Sequence, residues 1–187
     1  MIHVGSYEHH NCEIISLDEP IGSQEWWNKI QNADNNEWYF DSDFDTWKQN
    51  FRIIEAAGGL VSHNESVLMI FRNGIWDLPK GWIEPNEHSF QAALREVNEE
   101  CGELNLTIEN MQPRITYHLY VLKGKVVLKE TKWYSMSVSG DFTLKPQIKE
   151  GIHRVEFVHL TQLNELLENS FPMIRWIIDQ EFNQTCQ

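Results

Sequence analysis

Gly81-Trp82-Ile83-Glu84-Pro85-Asn86-Glu87 leads without a break through His88 to Leu94 into Arg95-Glu96-Val97-Asn98-Glu99-Glu100-Cys101-Gly102. From Phe90 the apolar residues fall at Phe90, Ala93, Leu94, Val97 and Cys101, which is one stripe of an amphipathic helix. Glu96, Glu99 and Glu100 lie off that stripe, and their i, i+3, i+4 spacing stacks three carboxylates on one patch of the helix. Like charges at that spacing repel by roughly 0.2–0.5 kcal/mol per pair. A divalent cation turns the repulsion into chelation. Hard, oxygen-seeking Mg²⁺ or Mn²⁺ suits carboxylates and waters, and no thiolate or imidazole shares the spacing. The plain alternative is a solvated acidic face on an ordinary helix.

Gly81, five residues, Glu87, seven residues, then Arg95-Glu96-Val97-Asn98-Glu99-Glu100-Cys101-Gly102 resembles the box of the Nudix hydrolases, G-x5-E-x7-R-E-U-x-E-E-x-G-U with U apolar. Every fixed position matches except the last, where Glu103 stands and Leu104 follows. Gly102 is expected to end the helix in a left-handed conformation, so the misfit falls beyond the cap and away from the carboxylates.

The remainder of the chain agrees with a globular domain. Its 187 residues, 41% hydrophobic and 12% aromatic, suffice for one core with an added flank. A formal charge of −13 argues against a nucleic acid duplex as partner, because no basic patch is dense enough to displace counterions. A polyanionic substrate must then be met by metal ions and a few placed Lys and Arg. Cys12, Cys101 and Cys186 are odd in number and far apart, as expected of reduced thiols. The start has neither the basic run nor the apolar core of a signal peptide, and no later stretch has the length to span a membrane, so a cytoplasmic protein is expected.

Residues 1–50 hold four of the eight tryptophans and are expected to form a flank packed on the main domain, 51–187, or on a second subunit in a homodimer. Within the flank the patterns predict a strand at Cys12 to Leu17, a helix at Ser23 to Ile30, a turn at Asp34-Asn35-Asn36, a strand at Trp38 to Phe40 and a helix at Asp43 to Phe51. Strands follow at Ile53 to Ser62, Ser66 to Phe71, Leu104 to Ile108, Arg114 to Leu122, Val126 to Val138 and Val155 to Leu160. Gly58-Gly59 predicts a bulge or a close backbone approach. Thr161 is read as the cap of a helix at Gln162 to Glu168, and a last helix runs from Phe171 to about Phe182. This order suits an α/β sandwich with a mixed sheet. The resemblance implies the same, a Nudix-type α/β/α sandwich with the box set as loop–helix–loop against the sheet.

The resemblance also implies the chemistry: hydrolysis of a diphosphate linked to another group, a small-molecule phosphoanhydride. Carried over by position, Glu96, Glu99 and Glu100 ligate Mg²⁺ with the Gly81 carbonyl as a further ligand, and Arg95 pairs with Glu87 to orient loop and helix. The general base is Glu99 or Glu150, with Glu130 a third choice. The run W-x-L-P-K-G-x-x-E is similar to the branch acting on dinucleoside polyphosphates and diphosphoinositol polyphosphates. On that reading Lys80 reaches a distal phosphate with Lys132 and Arg114 in support, and Tyr117, Tyr120, Trp133 or Tyr134 stacks on a base. On a hairpin, half of those aromatics must face the core. The alternatives are an ADP-ribose or other nucleotide-sugar pyrophosphatase, and a nucleotide-sensing module that does not cleave. Such modules usually lose box carboxylates, and here none is lost.

Overall fold

The computed structural model describes residues 2–4, 21–32, 38–40 and 44–182. The strand expected at Cys12 to Leu17 and the turn at Asp34-Asn35-Asn36 lie outside them. The chain divides into two compact units, one formed by Met1–Ile54 with Tyr117–Lys129, the other by Glu55–Thr116 with Glu130–Gln187.

The first unit contains strands β1 (Ile2–Val4) and β2 (Trp38–Phe40), which pair in parallel, and helices α1 (Gln24–Asn32) and α2 (Phe44–Lys48). Ser23 caps α1, its Oγ accepting the Trp26 N–H at 3.1 Å. Buried Trp26 and Trp47 close on Phe51, at centroid distances of 5.7 and 4.7 Å. Val126 and Leu128 complete the same cluster, so a sequence-distant hairpin tip belongs to the core of this unit.

The later elements are β3 (Arg52–His63), β4 (Ser66–Arg72), β5 (Ile75–Asp77), β6 (Lys80–Trp82), α3 (Ser89–Cys101), β7 (Leu106–Ile108), β8 (Arg114–Leu122), β9 (Lys125–Val138), β10 (Ile152–His159), α4 (Leu160–Leu166) and α5 (Pro172–Phe182). The sheet runs β10-β4-β3-β9-β7, with β5 on β4, β6 on β3 and β8 on β9. Two-residue turns with positive φ close three hairpins: Asn64 and Glu65 (46° and 56°) between β3 and β4, Asn73 and Gly74 (50° and 85°) between β4 and β5, and Lys123 and Gly124 (50° and 76°) between β8 and β9.

In the second unit the alternation of the central strands sends residues to opposite faces. Val61, Leu68 and Ile70 pack with Ala92, Ala93, Val97 and Cys101 of α3. Leu60, Val67 and Met69 pack with Leu163, Ile174, Ile177 and Ile178 of α4 and α5. A sheet covered on both faces is the α/β/α sandwich that the order of patterns predicts. The Gly58-Gly59 pair is a close approach: a Cβ on Gly59 would stand 2.8 Å from Val97 Cγ2, so β3 without a side chain there lets α3 settle onto the sheet. Burying a side chain such as Val97 stabilises by about 1.5–3 kcal/mol.

Two expectations are corrected. Gly102 has φ 103° and ψ 166°, an extended backbone with positive φ that only glycine tolerates and not the left-handed helical region. Its N–H still caps α3 on the Asn98 carbonyl at 3.0 Å. Glu103 is exposed and Leu104 buried, so the apolar position of the box is served one residue late. At α4 the cap is His159, whose side chain accepts the Thr161 N–H, and the helix starts at Leu160.

Candidate metal and catalytic site

β5 and β6 are joined by a tight turn that presses the chain onto α3. Asp77 Oδ1 accepts the Leu78 N–H at 2.8 Å, and the Pro79 carbonyl accepts the Gly59 N–H at 3.1 Å. The next amide, Lys80 N–H, donates to Glu100 Oε2 at 2.9 Å. Gly81 then lies against Glu96 so closely that a Cβ there would stand 1.9 Å from Glu96 Oε2. Only glycine lets the loop backbone meet that carboxylate.

Arg95 ties the far end of the loop. Its Nε and Nη2 form a fork on Glu87, both at 2.9 Å, Nη2 also reaches the Trp82 carbonyl at 2.9 Å, and Nη1 donates to Glu96 at 2.7 Å. The hydrogen bonds from Arg95 hold the Glu87 carboxyl below its ordinary range. This is the Glu87–Arg95 pair that the box implies. The guanidinium joins the loop to three carboxylates, Glu87, Glu96 and, from Nη1 at 3.5 Å, Glu99, and so fixes geometry beyond any stability it adds.

The acidic residues differ in exposure. Glu96 and Glu100 are buried, Glu100 completely, whereas the side chains of Glu99 and Glu150 remain 48% and 44% exposed. Burial pushes the Glu100 carboxyl up to about 7 against the opposing pull of Lys80 and Arg72. Glu96 is also pushed up, by burial first, with Arg95 opposing and Glu99 and Glu150 adding to the rise. The helix period places three carboxylates together but does not show that the loop covers two of them.

Glu150, separated from the box in sequence, is brought beside it by Arg72. Nη1 of Arg72 donates to Glu100 at 3.1 Å and Nη2 to Glu150 at 3.2 Å. The short 3₁₀ turn Ile148–Glu150 ends on Gly151 at φ 78°, whose carbonyl accepts the Asn73 N–H at 3.1 Å and latches Glu150 to the β4–β5 turn. Arg72 carries no motif, and only the fold shows its part.

The substrate-contact candidates mostly have other duties. Lys80 turns its ammonium inward onto Asp77 Oδ2 and is 11% exposed, so it does not project toward a distal phosphate here. Trp133 is a core residue at 1% exposure, its indole N–H on Thr116 Oγ1 at 2.7 Å, which leaves no face for a base. Tyr134 is buried with its hydroxyl on Ser89 at 2.7 Å. Arg114 pairs with Glu181 of α5 and reaches the Gln180 carbonyl, on the sheet face opposite the carboxylates. Tyr117 belongs to the first unit, its ring edge against Phe44 at 4.6 Å. Lys132 is engaged by Glu55 at 2.8 Å and Glu130 at 3.6 Å, which keeps Glu130 in an ion pair.

Among the described residues, no three carboxylate, imidazole or thiol side chains stand together as a finished coordination shell. Glu96 and Glu100 are instead engaged by Arg95, Arg72 and the Lys80 amide. The donor set still fits a hard divalent cation. It is all oxygen, its two buried carboxylates lack the solvation that would stabilise their charge, and the glycine cradle leaves a backbone in reach.

A glycine loop clamped by an Arg–Glu fork onto a carboxylate-bearing helix, inside an α/β/α sandwich, defines the Nudix type of domain. The chain belongs to that family, the NUDIX domain model matching residues 53–177, and divalent cations are general in it. The fold is similar to that of the Ap4A hydrolase of C. elegans, with 20% identity, TM-score 0.56, and 71% of this chain and 96% of that one covered. It is also similar to a bifunctional NMN adenylyltransferase/ADP ribose pyrophosphatase of Francisella tularensis complexed with AMP and a Mn ion, at 18% identity and TM-score 0.55 over 72% of this chain and 42% of that one. In sequence, an RNA pyrophosphohydrolase of Brucella ovis is 35% identical over 74 residues, 36% of this chain and 42% of the relative. The match thus spans under half the length of that curated relative. Among the described residues no helix is long and apolar enough to cross a membrane.

Proposed function

We propose that the chain is a Mg²⁺- or Mn²⁺-dependent pyrophosphohydrolase that cleaves a diphosphate linkage in a nucleotide-linked or polyphosphate substrate. The observation that carries this is the seating of Gly81 on Glu96 beside Glu100, with Glu99 and Glu150 left accessible. Glu96, Glu99 and Glu100 with the Gly81 carbonyl would hold the cation. When bound, such an ion stabilises charge on the phosphoryl oxygens and lowers the pKa of an attacking water. Arg95 keeps loop and helix in register for it. Glu99 and Glu150 are the two carboxylates with solvent access and therefore the candidates to take the proton of water.

Dinucleoside or diphosphoinositol polyphosphates are the preferred substrates, on the W-x-L-P-K-G-x-x-E run and the likeness to an Ap4A hydrolase. With Lys80 turned inward, the run supports this branch through the loop it builds and not through a cation offered to phosphate. The test is a panel of dinucleoside polyphosphates, diphosphoinositols, ADP-ribose, NADH, nucleoside triphosphates and 5′-triphosphorylated RNA, assayed with Mg²⁺ and Mn²⁺ and resolved by chromatography. A preference for ADP-ribose or RNA would replace the substrate branch, and no turnover of any member would remove the hydrolase reading.

A further inference from the structure

We propose that Asp77 is a positioning residue: its buried ion pair with Lys80 holds the Lys80 backbone N–H on Glu100 and so fixes one of the carboxylates offered to the cation. The inference rests on the reading of Glu100 as a metal ligand.

The pair is enclosed, with side-chain exposures of 8% for Asp77 and 11% for Lys80. Its polar atoms are all partnered. Asp77 Oδ1 takes the Leu78 N–H at 2.8 Å, Oδ2 takes the Lys80 ammonium, and the ammonium also meets the Leu78 carbonyl at 3.3 Å. The ring of Trp133 lies below, 5.8 Å from Nζ to centroid, itself locked by Thr116. Four residues are thereby closed into a rigid turn by one side chain acting at both ends.

What the turn presents follows from its amides. Leu78 N–H is spent on Asp77, Pro79 has none, and its carbonyl is held by Gly59, so the Lys80 N–H is the amide left to face α3. It meets Glu100 Oε2 at 2.9 Å while Arg72 takes Oε1. Glu100 is thus oriented from both oxygens by groups that are themselves fixed. Burying an ion pair adds little stability over an apolar pair of the same shape. Aiming the Lys80 amide at a carboxylate is something an apolar pair would not do through its charges.

The experiment uses the full chain and Mn²⁺ alone, with bound metal read from the loss of the free-ion paramagnetic resonance signal. Asp77→Asn keeps an oxygen for the Leu78 N–H but places an amide against the ammonium; Lys80→Met removes the ammonium and keeps the backbone N–H. Each single variant should bind Mn²⁺ about 10–100-fold more weakly, the range found when outer partners of a ligand are removed. The double variant should be no worse than the poorer single, because the pair acts as a unit. Hydrogen exchange at the Lys80 amide of metal-free Asp77→Asn should be faster than in wild type, a change that a general loss of stability would spread over the whole sheet. Should Asp77→Asn fail to fold, the double variant leaves no lone buried charge and carries the same Mn²⁺ measurement. Wild-type Mn²⁺ affinity in Asp77→Asn or in the double variant, or losses that add, would overturn the proposal. Wild type that binds no Mn²⁺ would remove the metal reading as well, whereas unchanged Lys80 exchange would refute the pinning alone.

Discussion

Gly81 shows how much a single position decides. A methyl group there would overlap the Glu96 carboxylate, so Gly81→Ala must displace either the loop or the ligand. Activity should fall by at least about a hundredfold, which corresponds to some 2.7 kcal/mol of lost transition-state stabilisation; steady-state rates with Mg²⁺ check it. Wild-type turnover would show that the contact is relaxed at no cost. The Arg95–Glu87 fork was implied by the resemblance of the box, with Glu87 just before α3 and Arg95 eight residues on in the second turn of that helix. Arg72 was not, because its partners are 28 and 78 residues away and only the sheet brings them together. Lys80 is expected at a phosphate because the W-x-L-P-K-G run resembles the polyphosphate branch. Its direction is set by Asp77 three residues earlier, a pairing that the tight Asp-Leu-Pro-Lys turn could have suggested.

At the scale of elements, α3 is where pattern and structure differ most usefully. The period correctly separates apolar and acidic stripes, but the loop over residues 78–83 buries Glu96 and Glu100, and a helical period cannot say what lies above a face. Arg95→Lys tests what the fork contributes. An ammonium cannot serve Glu87, Glu96 and the Trp82 carbonyl at once, so activity should drop about ten- to a hundredfold with the melting temperature nearly unchanged, because one partly exposed ion-pair network contributes little to stability. Equal falls in stability and activity would assign Arg95 a structural role instead. The buried end of the same helix makes a separate prediction. Cys101 is fully buried and its thiol is pushed well above the ordinary range by burial and by neighbouring Glu100. Iodoacetamide at neutral pH should leave Cys101 unmodified in native protein and label it in urea, as mapped by mass spectrometry; labelling in the native state would show that this end of α3 opens.

For the whole molecule, the sandwich was legible because strands, one helix, more strands and two helices allow few arrangements. The membership of the hairpin tip was not. Tyr117–Lys129 groups with Met1–Ile54, and Val126 and Leu128 share a core with Trp26 and Trp47, residues roughly eighty to a hundred apart that no local pattern joins. Deleting residues 1–50 should strip those tryptophans from the hairpin and expose its apolar side, giving aggregation in size-exclusion chromatography. A soluble shortened protein with wild-type solution behaviour would contradict that. The claim joining all scales is that the helix carboxylates act through a divalent cation on a diphosphate. Its most direct measurement is product formation from the phosphoanhydride panel by wild type and Glu99→Gln, each in Mg²⁺ and in EDTA. The account predicts cleavage between phosphates by wild type in Mg²⁺, abolished by EDTA and reduced by orders of magnitude in the variant; full turnover in EDTA, or by Glu99→Gln, would contradict it.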